Sequence, residues 1–99
     1  MASAEHHRLT VEIRSDRYRY ELLLDGSVVG LANFSLSNGV VTIPHVETNH
    51  EHRGKDFAAQ LMSGILADVR ERHQTVRPLC TYAAAYMRRH PETNDLLAH

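Results

Sequence analysis

The sequence predicts an α+β domain: an antiparallel β-meander, a crossover helix, a parallel strand and a C-terminal helix. Three observations carry that expectation. Apolar and polar residues alternate with period two from Tyr18 towards Thr48; the apolar period becomes helical at Phe57; and turn dipeptides stand where the strand pattern breaks.

Each element follows from its residues. Leu9, Val11 and Ile13 alternate with polar neighbours, the pattern of a short edge strand or of a tail, so residues 1–16 are set apart from one domain over 17–99. Tyr18, Tyr20, Leu22 and Leu24 alternate with Arg17, Arg19 and Glu21, which gives a strand with one wet face. Asp25-Gly26 is a hairpin signal because both turn positions need positive φ. A second strand runs from Val28 to Leu36, Ser37-Asn38-Gly39 turns the chain, and a third strand runs from Val40 to Thr48. Pro44 removes a ladder donor in the middle of that strand, which predicts an irregularity or one unpaired side there.

From Phe57 the apolar stripe is Phe57, Ala58, Leu61, Met62, Ile65, Leu66 and Val69, with Gln60, Ser63, Asp68, Arg70 and Glu71 facing away. Asp56 is placed to cap this helix, which is expected to end near Arg72 or His73. Gln74 to Leu79 reads as a short strand. Thr81 to His90 reads as a second helix with Tyr82, Tyr86 and Met87 turned inward, and Pro91 opens a last helical turn through Leu97.

Composition narrows the function. The chain has 99 residues, suited to one compact domain, with 42% apolar and 23% charged residues, ordinary for a soluble protein. A domain this small buries a modest share of its surface, so one face is expected to need a cofactor or partner to be fully ordered. No apolar run reaches the length of a membrane span, and the first residues lack the order of a secretory signal. Net charge is -1 and basic residues are interleaved with acids, so no basic stripe for nucleic acid is expected. One cysteine, Cys80, allows no intrachain disulfide, and a reducing, cytoplasmic setting is the expectation.

The junction His45-Val46-Glu47-Thr48-Asn49-His50-Glu51-His52-Arg53-Gly54-Lys55-Asp56-Phe57-Ala58 carries a strand through a polar turn into a helix. It gathers unpaired N–H groups, a positive helix end and two cationic side chains around one point, which suits an anion such as phosphate. The spacing of Arg53, Asp56 and Ala58 resembles the Arg-x-x-Gly-x-(Gly/Ala) acyl-coenzyme A signature of the GNAT N-acetyltransferase superfamily, with Asp56 in place of the central glycine. The stretch from Arg77 to Glu92, with Pro78-Leu79-Cys80, an Ala-rich helix containing Tyr82 and Tyr86, and Arg89-His90-Pro91-Glu92, resembles a small single-domain branch of that superfamily.

The resemblance implies an N-acetyltransferase-like protein that binds acetyl-coenzyme A and transfers its acetyl group to an amine. It implies that the strand before the signature splays from the next, with pantetheine in the gap beside Val46. It implies that Arg53, Gly54, Lys55, Asp56, Phe57 and Ala58 cradle the diphosphate, mainly through backbone N–H groups. Tyr86, Arg88 and Arg89 on the second helix are placed to touch the cofactor's thiol end or its phosphates, against the plainer readings of core packing for Tyr86 and a solvated helix end for the arginines. Asp56 leaves two outcomes. Its carboxylate either turns away and caps the helix, or it weakens cofactor binding through a repulsion of about 1 kcal/mol for charges 4 Å apart in water. The intact Arg53, Gly54, Lys55 and Ala58 favour the first.

Acetyl transfer needs a deprotonated amine, an aligned thioester and a donor for the developing oxyanion. Glu47 is the candidate base, against the plainer reading of a solvated strand carboxylate. His45, two residues away on the same strand face, is placed to orient Glu47 or relay its proton, against the favoured plainer reading of a histidine hydrogen-bonded beside the sheet. Cys80 lies where the fourth strand meets a helix start, an electropositive position that favours thiolate, and the resemblance implies a reactive thiol there; a small core residue is the equal alternative. His50-Glu51-His52 holds only two imidazoles, so no metal site is expected. The chain lacks the helical segment that usually follows the first strand in the superfamily. The acceptor side is therefore expected to be open, suited to a protein or peptide amine or to completion by a second copy or partner chain. The rival function is a non-catalytic coenzyme A-binding or protein-interaction module that keeps the fold, and a third reading takes no cofactor.

Overall fold

A computed structural model describes residues 8–49 and 56–99. Its five strands, β1 (Leu9–Arg14), β2 (Arg19–Leu24), β3 (Ser27–Ser37), β4 (Val40–Thr48) and β5 (Thr75–Pro78), lie in sequence order in one sheet. β1 to β4 pair antiparallel; β4 and β5 pair parallel through the crossover helix α1 (Phe57–Glu71). Helix α2 (Thr81–Arg89) and a 3-10 turn (Pro91–Leu96) complete the α+β fold. Among the described residues no helix is long and apolar enough to cross a membrane.

Local chemistry sets the hairpins. Asp25 and Gly26 have φ of 50° and 87°, and Asn38 and Gly39 have φ of 53° and 77°, the paired positive values that match a two-residue turn to strand twist. Of the two alternatives for the first segment, Leu9–Arg14 forms an edge strand, registered on β2 from Leu9↔Leu24 to Arg14↔Arg19.

Cross-strand partners share a face, so the register sorts the sheet into two sides. Ile13, Tyr20, Ala32 and Val46 lie in one row on the core side, with Tyr20 and Ala32 fully buried. The helices pack there: Phe57, Leu61, Met62, Ile65, Leu66 and Val69 of α1 join Ala83 and Met87 of α2 in one core. Gly64 is the point of closest approach, since a Cβ there would overlap the Val11 side chain of the edge strand.

Among the described residues the opposite face carries no helix. Its rows read Glu12–Glu21–Leu31–Glu47 and Arg14–Arg19–Asn33–His45. Like charges directly opposite are destabilising, and the face resolves them sideways and diagonally. Arg14 reaches Glu21 at 2.9 Å and Glu12 at 3.0 Å, and Arg19 reaches Glu21 at 3.5 Å. Glu21 can therefore stay only 6% exposed. At the far edge, Leu97 bridges Val76 and the Ala98 N–H donates to the Val76 carbonyl at 2.8 Å.

One polar contact ties the core side to α1. The fully buried Tyr20 donates its hydroxyl to Asp68 Oδ2 at 2.7 Å, and Arg72 Nε holds the same oxygen at 2.9 Å. Burial, then the Asp68 carboxylate, pushes the Tyr20 phenol far above its usual value. A folded-state value above the unfolded one, near 10, means stability that is present below about pH 10 and lost as pH rises beyond it.

Two outcomes follow. Gly64→Ala lowers stability by about 1 kcal/mol in urea unfolding, because overpacking outweighs the helix-propensity gain of roughly 1 kcal/mol, and adding Val11→Ala recovers only part of the loss, since the Cβ that alanine keeps still meets the new methyl. Tyr20→Phe costs about 1 kcal/mol near neutral pH and flattens the loss of stability between pH 10 and 11.5.

Candidate functional site

The site begins at a fork. β4 and β5 pair from Val40↔Thr75 to Ile43↔Pro78 and no further. The Ile43 carbonyl accepts the N–H groups of both Leu79 and Cys80, each at 3.0 Å. Pro44 and Pro78 have no N–H to extend the ladder, so a proline stands at the fork on each strand. Beyond it β4 continues to Thr48 with β3 on one side and no described strand on the other.

The same proline changes what β4 presents. Between Asn33↔His45 and Ser35↔Thr42, β3 supplies one residue, Phe34, and β4 supplies two, Ile43 and Pro44. An extra residue reverses the alternation beyond it. Val41 and Ile43 face the core before the bulge; after it Val46 takes the core side and His45 and Glu47 take the helix-free face. There His45 Nε2 lies 2.9 Å from Glu47 Oε2, both side chains 58% exposed. The expected pairing of these residues is thus present, on the open face.

A groove of about 330 Å³ lies between the start of α1 and α2, lined by Asp56, Ala59, Gln60, Ser63, Tyr82, Tyr86, Arg89 and His90. Tyr86 stacks on His90 with centroids 3.9 Å apart and planes at 17°, and His90 Nδ1–H donates to the Tyr86 carbonyl at 2.7 Å. Burial raises the Tyr86 phenol above its usual value, and a hydrogen bond from Ser63 partly opposes the rise. Burial also raises the Tyr82 phenol, with the Asp56 carboxylate adding to it. Tyr82 and Tyr86 are half-buried: they pack against the core and line the groove at once.

Asp56 requires a correction. It makes no side-chain cap; its φ is 54°, in the left-handed region, and its carboxylate lies along the groove and acts on both tyrosines. Aspartate tolerates that backbone region better than most residues, which explains how it stands at a glycine-like position. The helix starts through the Asp56 carbonyl, which accepts the Gln60 N–H at 3.1 Å, so Ala58 and Ala59 have no partner within the helix for their N–H groups.

The remaining candidates fall as follows. The Phe57 side chain is buried in the core. Cys80 precedes α2 at the fork, half-buried against the core. Val46 lies on the unpaired stretch of β4, and Arg88 and Arg89 are exposed at the end of α2. Arg53, Gly54 and Lys55 lie outside the described residues, as do His50 and His52. Among the described residues no three ligating side chains converge on a metal position. Sequence reasoning missed Ser63, Gln60 and His90, because their role depends on α2 docking beside the polar flank of α1.

A strand that forks beside a helix start, with a polar groove between the two helices, can be compared with known proteins. A family model described as GCN5-related N-acetyl-transferase matches residues 19–96. The chain belongs to that family. No curated protein sequence matches at a significant level. Among solved structures, a GCN5-like protein from Staphylococcus aureus has a TM-score of 0.69 at 13% identity, over 91% of this chain and 88% of that one. The ribosomal-protein-S18-alanine N-acetyltransferase of Escherichia coli has a TM-score of 0.62 at 12% identity, over 77% of this chain and 53% of its own. This GCN5-related chain therefore spans about half of the E. coli enzyme and nearly all of the S. aureus protein. At such identities the likeness is one of fold.

The Asp56 backbone yields a stability test. Asp56→Gly leaves thermal stability unchanged or raises it, whereas Asp56→Ala lowers it by about 1 kcal/mol through left-handed strain. A true cap would cost stability with either residue, a few tenths of a kcal/mol for glycine and about 1 kcal/mol for alanine, so a loss in the glycine variant is the result that marks a cap.

Proposed function

We propose that the protein binds acetyl-coenzyme A along the free side of β4 and transfers its acetyl group to an amine. The observation that carries this reading is the fork at Ile43, which leaves residues 45–48 of β4 with no described strand on the side away from β3. Backbone groups there suit the amides of an extended pantetheine arm, with Val46 the central residue. The first turn of α1 and Arg89 suit the diphosphate, the former through N–H groups and helix dipole, the latter through charge. Bound there, the cofactor would supply an activated acetyl thioester.

The chain's own groups do the rest. Glu47 Oε accepts a proton from the acceptor ammonium, and His45 Nε2, 2.9 Å away, holds the carboxylate in place and shares the proton. Their exposure lets an amine reach them from the helix-free face. The Tyr86 hydroxyl, kept protonated by burial and joined to Ser63, is a donor on the groove side. Cys80 stands at the fork with its thiol available as a second route for the acyl group. The Asp56 carboxylate on the groove opposes a diphosphate and favours the second reading, a coenzyme A-binding module of low affinity without turnover.

A coenzyme A titration followed by thermal unfolding decides the first step. At a hundredfold excess over Kd, stability rises by about 2.7 kcal/mol; a flat titration ends both cofactor readings. Asp56→Gly tightens binding about fivefold, the equivalent of roughly 1 kcal/mol. Glu47→Gln lowers acetyl transfer about 100-fold with the coenzyme A shift intact. If wild-type protein shows the shift and acetylates no amine, the non-catalytic module is the function.

A further inference from the structure

The two tight hairpin turns share a backbone geometry and differ in what holds them. At Asp25-Gly26 the Arg8 N–H donates to Asp25 Oδ1 at 2.8 Å, and the Asp25 N–H donates to the Arg8 carbonyl at 2.8 Å. Side chain and backbone are both tied to the residue that precedes β1. At Asn38-Gly39 both residues are exposed, and among the described residues the Asn38 carboxamide has no hydrogen-bond partner. A Cβ at Gly39 would meet nothing within 4 Å. The Gly39 carbonyl accepts the Thr75 N–H at 2.9 Å, just where the β4–β5 ladder opens at Val40↔Thr75.

This pair of residues carries a chemistry of its own. An asparagine amide is thermolabile, and the nitrogen best placed to attack it belongs to the next residue. Glycine offers that nitrogen with no Cβ to crowd it. The chain's other asparagines, Asn33, Asn49 and Asn94, precede Phe34, His50 and Asp95, each of which has a Cβ.

We propose that Asn38 is a site of spontaneous deamidation, with water as its co-reactant. The Gly39 nitrogen, its proton taken by hydroxide, attacks Asn38 Cγ. A C–N bond forms there, the bond from Cγ to the amide nitrogen breaks, and ammonia leaves with a proton from water, closing a cyclic imide. Water then opens the imide. Attack at the side-chain carbonyl leaves aspartate; attack at the main-chain carbonyl leaves isoaspartate, whose backbone runs through the side-chain methylene. Ring closure turns the peptide between Asn38 and Gly39 out of hairpin geometry, so it proceeds through brief openings of the turn. Asp25 is guarded twice, by its bonds to Arg8 and by a carboxylate that has no amine to release.

The structural consequence is local. A two-residue turn matches strand twist only through its paired positive φ values, and an added backbone methylene breaks that match. The Gly39 carbonyl then leaves Thr75, so the lesion loosens the end of β5 opposite the fork.

The folded chain, incubated at mildly alkaline pH in water carrying heavy oxygen, is mapped over time by peptide mass spectrometry. The peptide spanning Asn38 is expected to lose its amide nitrogen and gain a heavy oxygen before those holding Asn33, Asn49 or Asn94 change, with isoaspartate among the products. Protection of the Thr75 amide against hydrogen exchange falls about fivefold in the isoaspartate form, the worth of one hydrogen bond. Asn38→Gly keeps a turn able to take positive φ and abolishes both changes. Deamidation first at another asparagine, aspartate as the sole product, or Thr75 protection untouched by isoaspartate overturns the proposal. So does an Asn38 amide that persists in the folded chain while the same chain in urea loses it.

Discussion

The Ile43 carbonyl is the hinge of this molecule. Up to that oxygen β4 has a strand on each side; beyond it, with Leu79 and Cys80 both bound to one acceptor, β5 turns away into α2. Pro44 makes the parting one-way, because it has no donor with which to resume the ladder. The bulge that accommodates the proline also exchanges the two faces of β4. One residue thus opens the strand's free side and sends Glu47 and His45 to the face without helices.

A domain of this size has little apolar surface to spend on anything but the core. The sheet meets that limit by using one face. α1 crosses the core side closely enough that only glycine fits at position 64 opposite Val11, and the Tyr20–Asp68–Arg72 contact fixes its far end. The other face is kept soluble by arginine–glutamate contacts over β1 and β2. Those contacts reach as far as β2 and stop, so the open face is electrostatically complete on one half and responsive on the other.

Much of this was legible in the residues. Strand alternation, the Asp25-Gly26 and Asn38-Gly39 turns and the stripe from Phe57 to Val69 are local patterns, and each marks its element within a residue or two. Pro44 marked the irregularity because a missing donor is a property of the residue itself. The capping role given to Asp56 failed because side-chain type predicts a cap only when the backbone enters the helix from an extended conformation, and here it enters left-handed. The groove was illegible for another reason. Gln60 and Ser63 lie on what reads as a wet flank of α1, and nothing local says that α2 will come to rest beside it.

The link from Leu97 and Ala98 to Val76 bears on which borders of the sheet are open to another strand. β5 is a short edge strand, the kind of border along which a neighbouring chain can add itself as a further strand. The last residues occupy that border as a built-in guard, while charged Glu12 and Arg14 discourage addition along β1. Shortening the chain by its final three residues would strip one border of its protection, and self-association would spread from β5 with the core still intact.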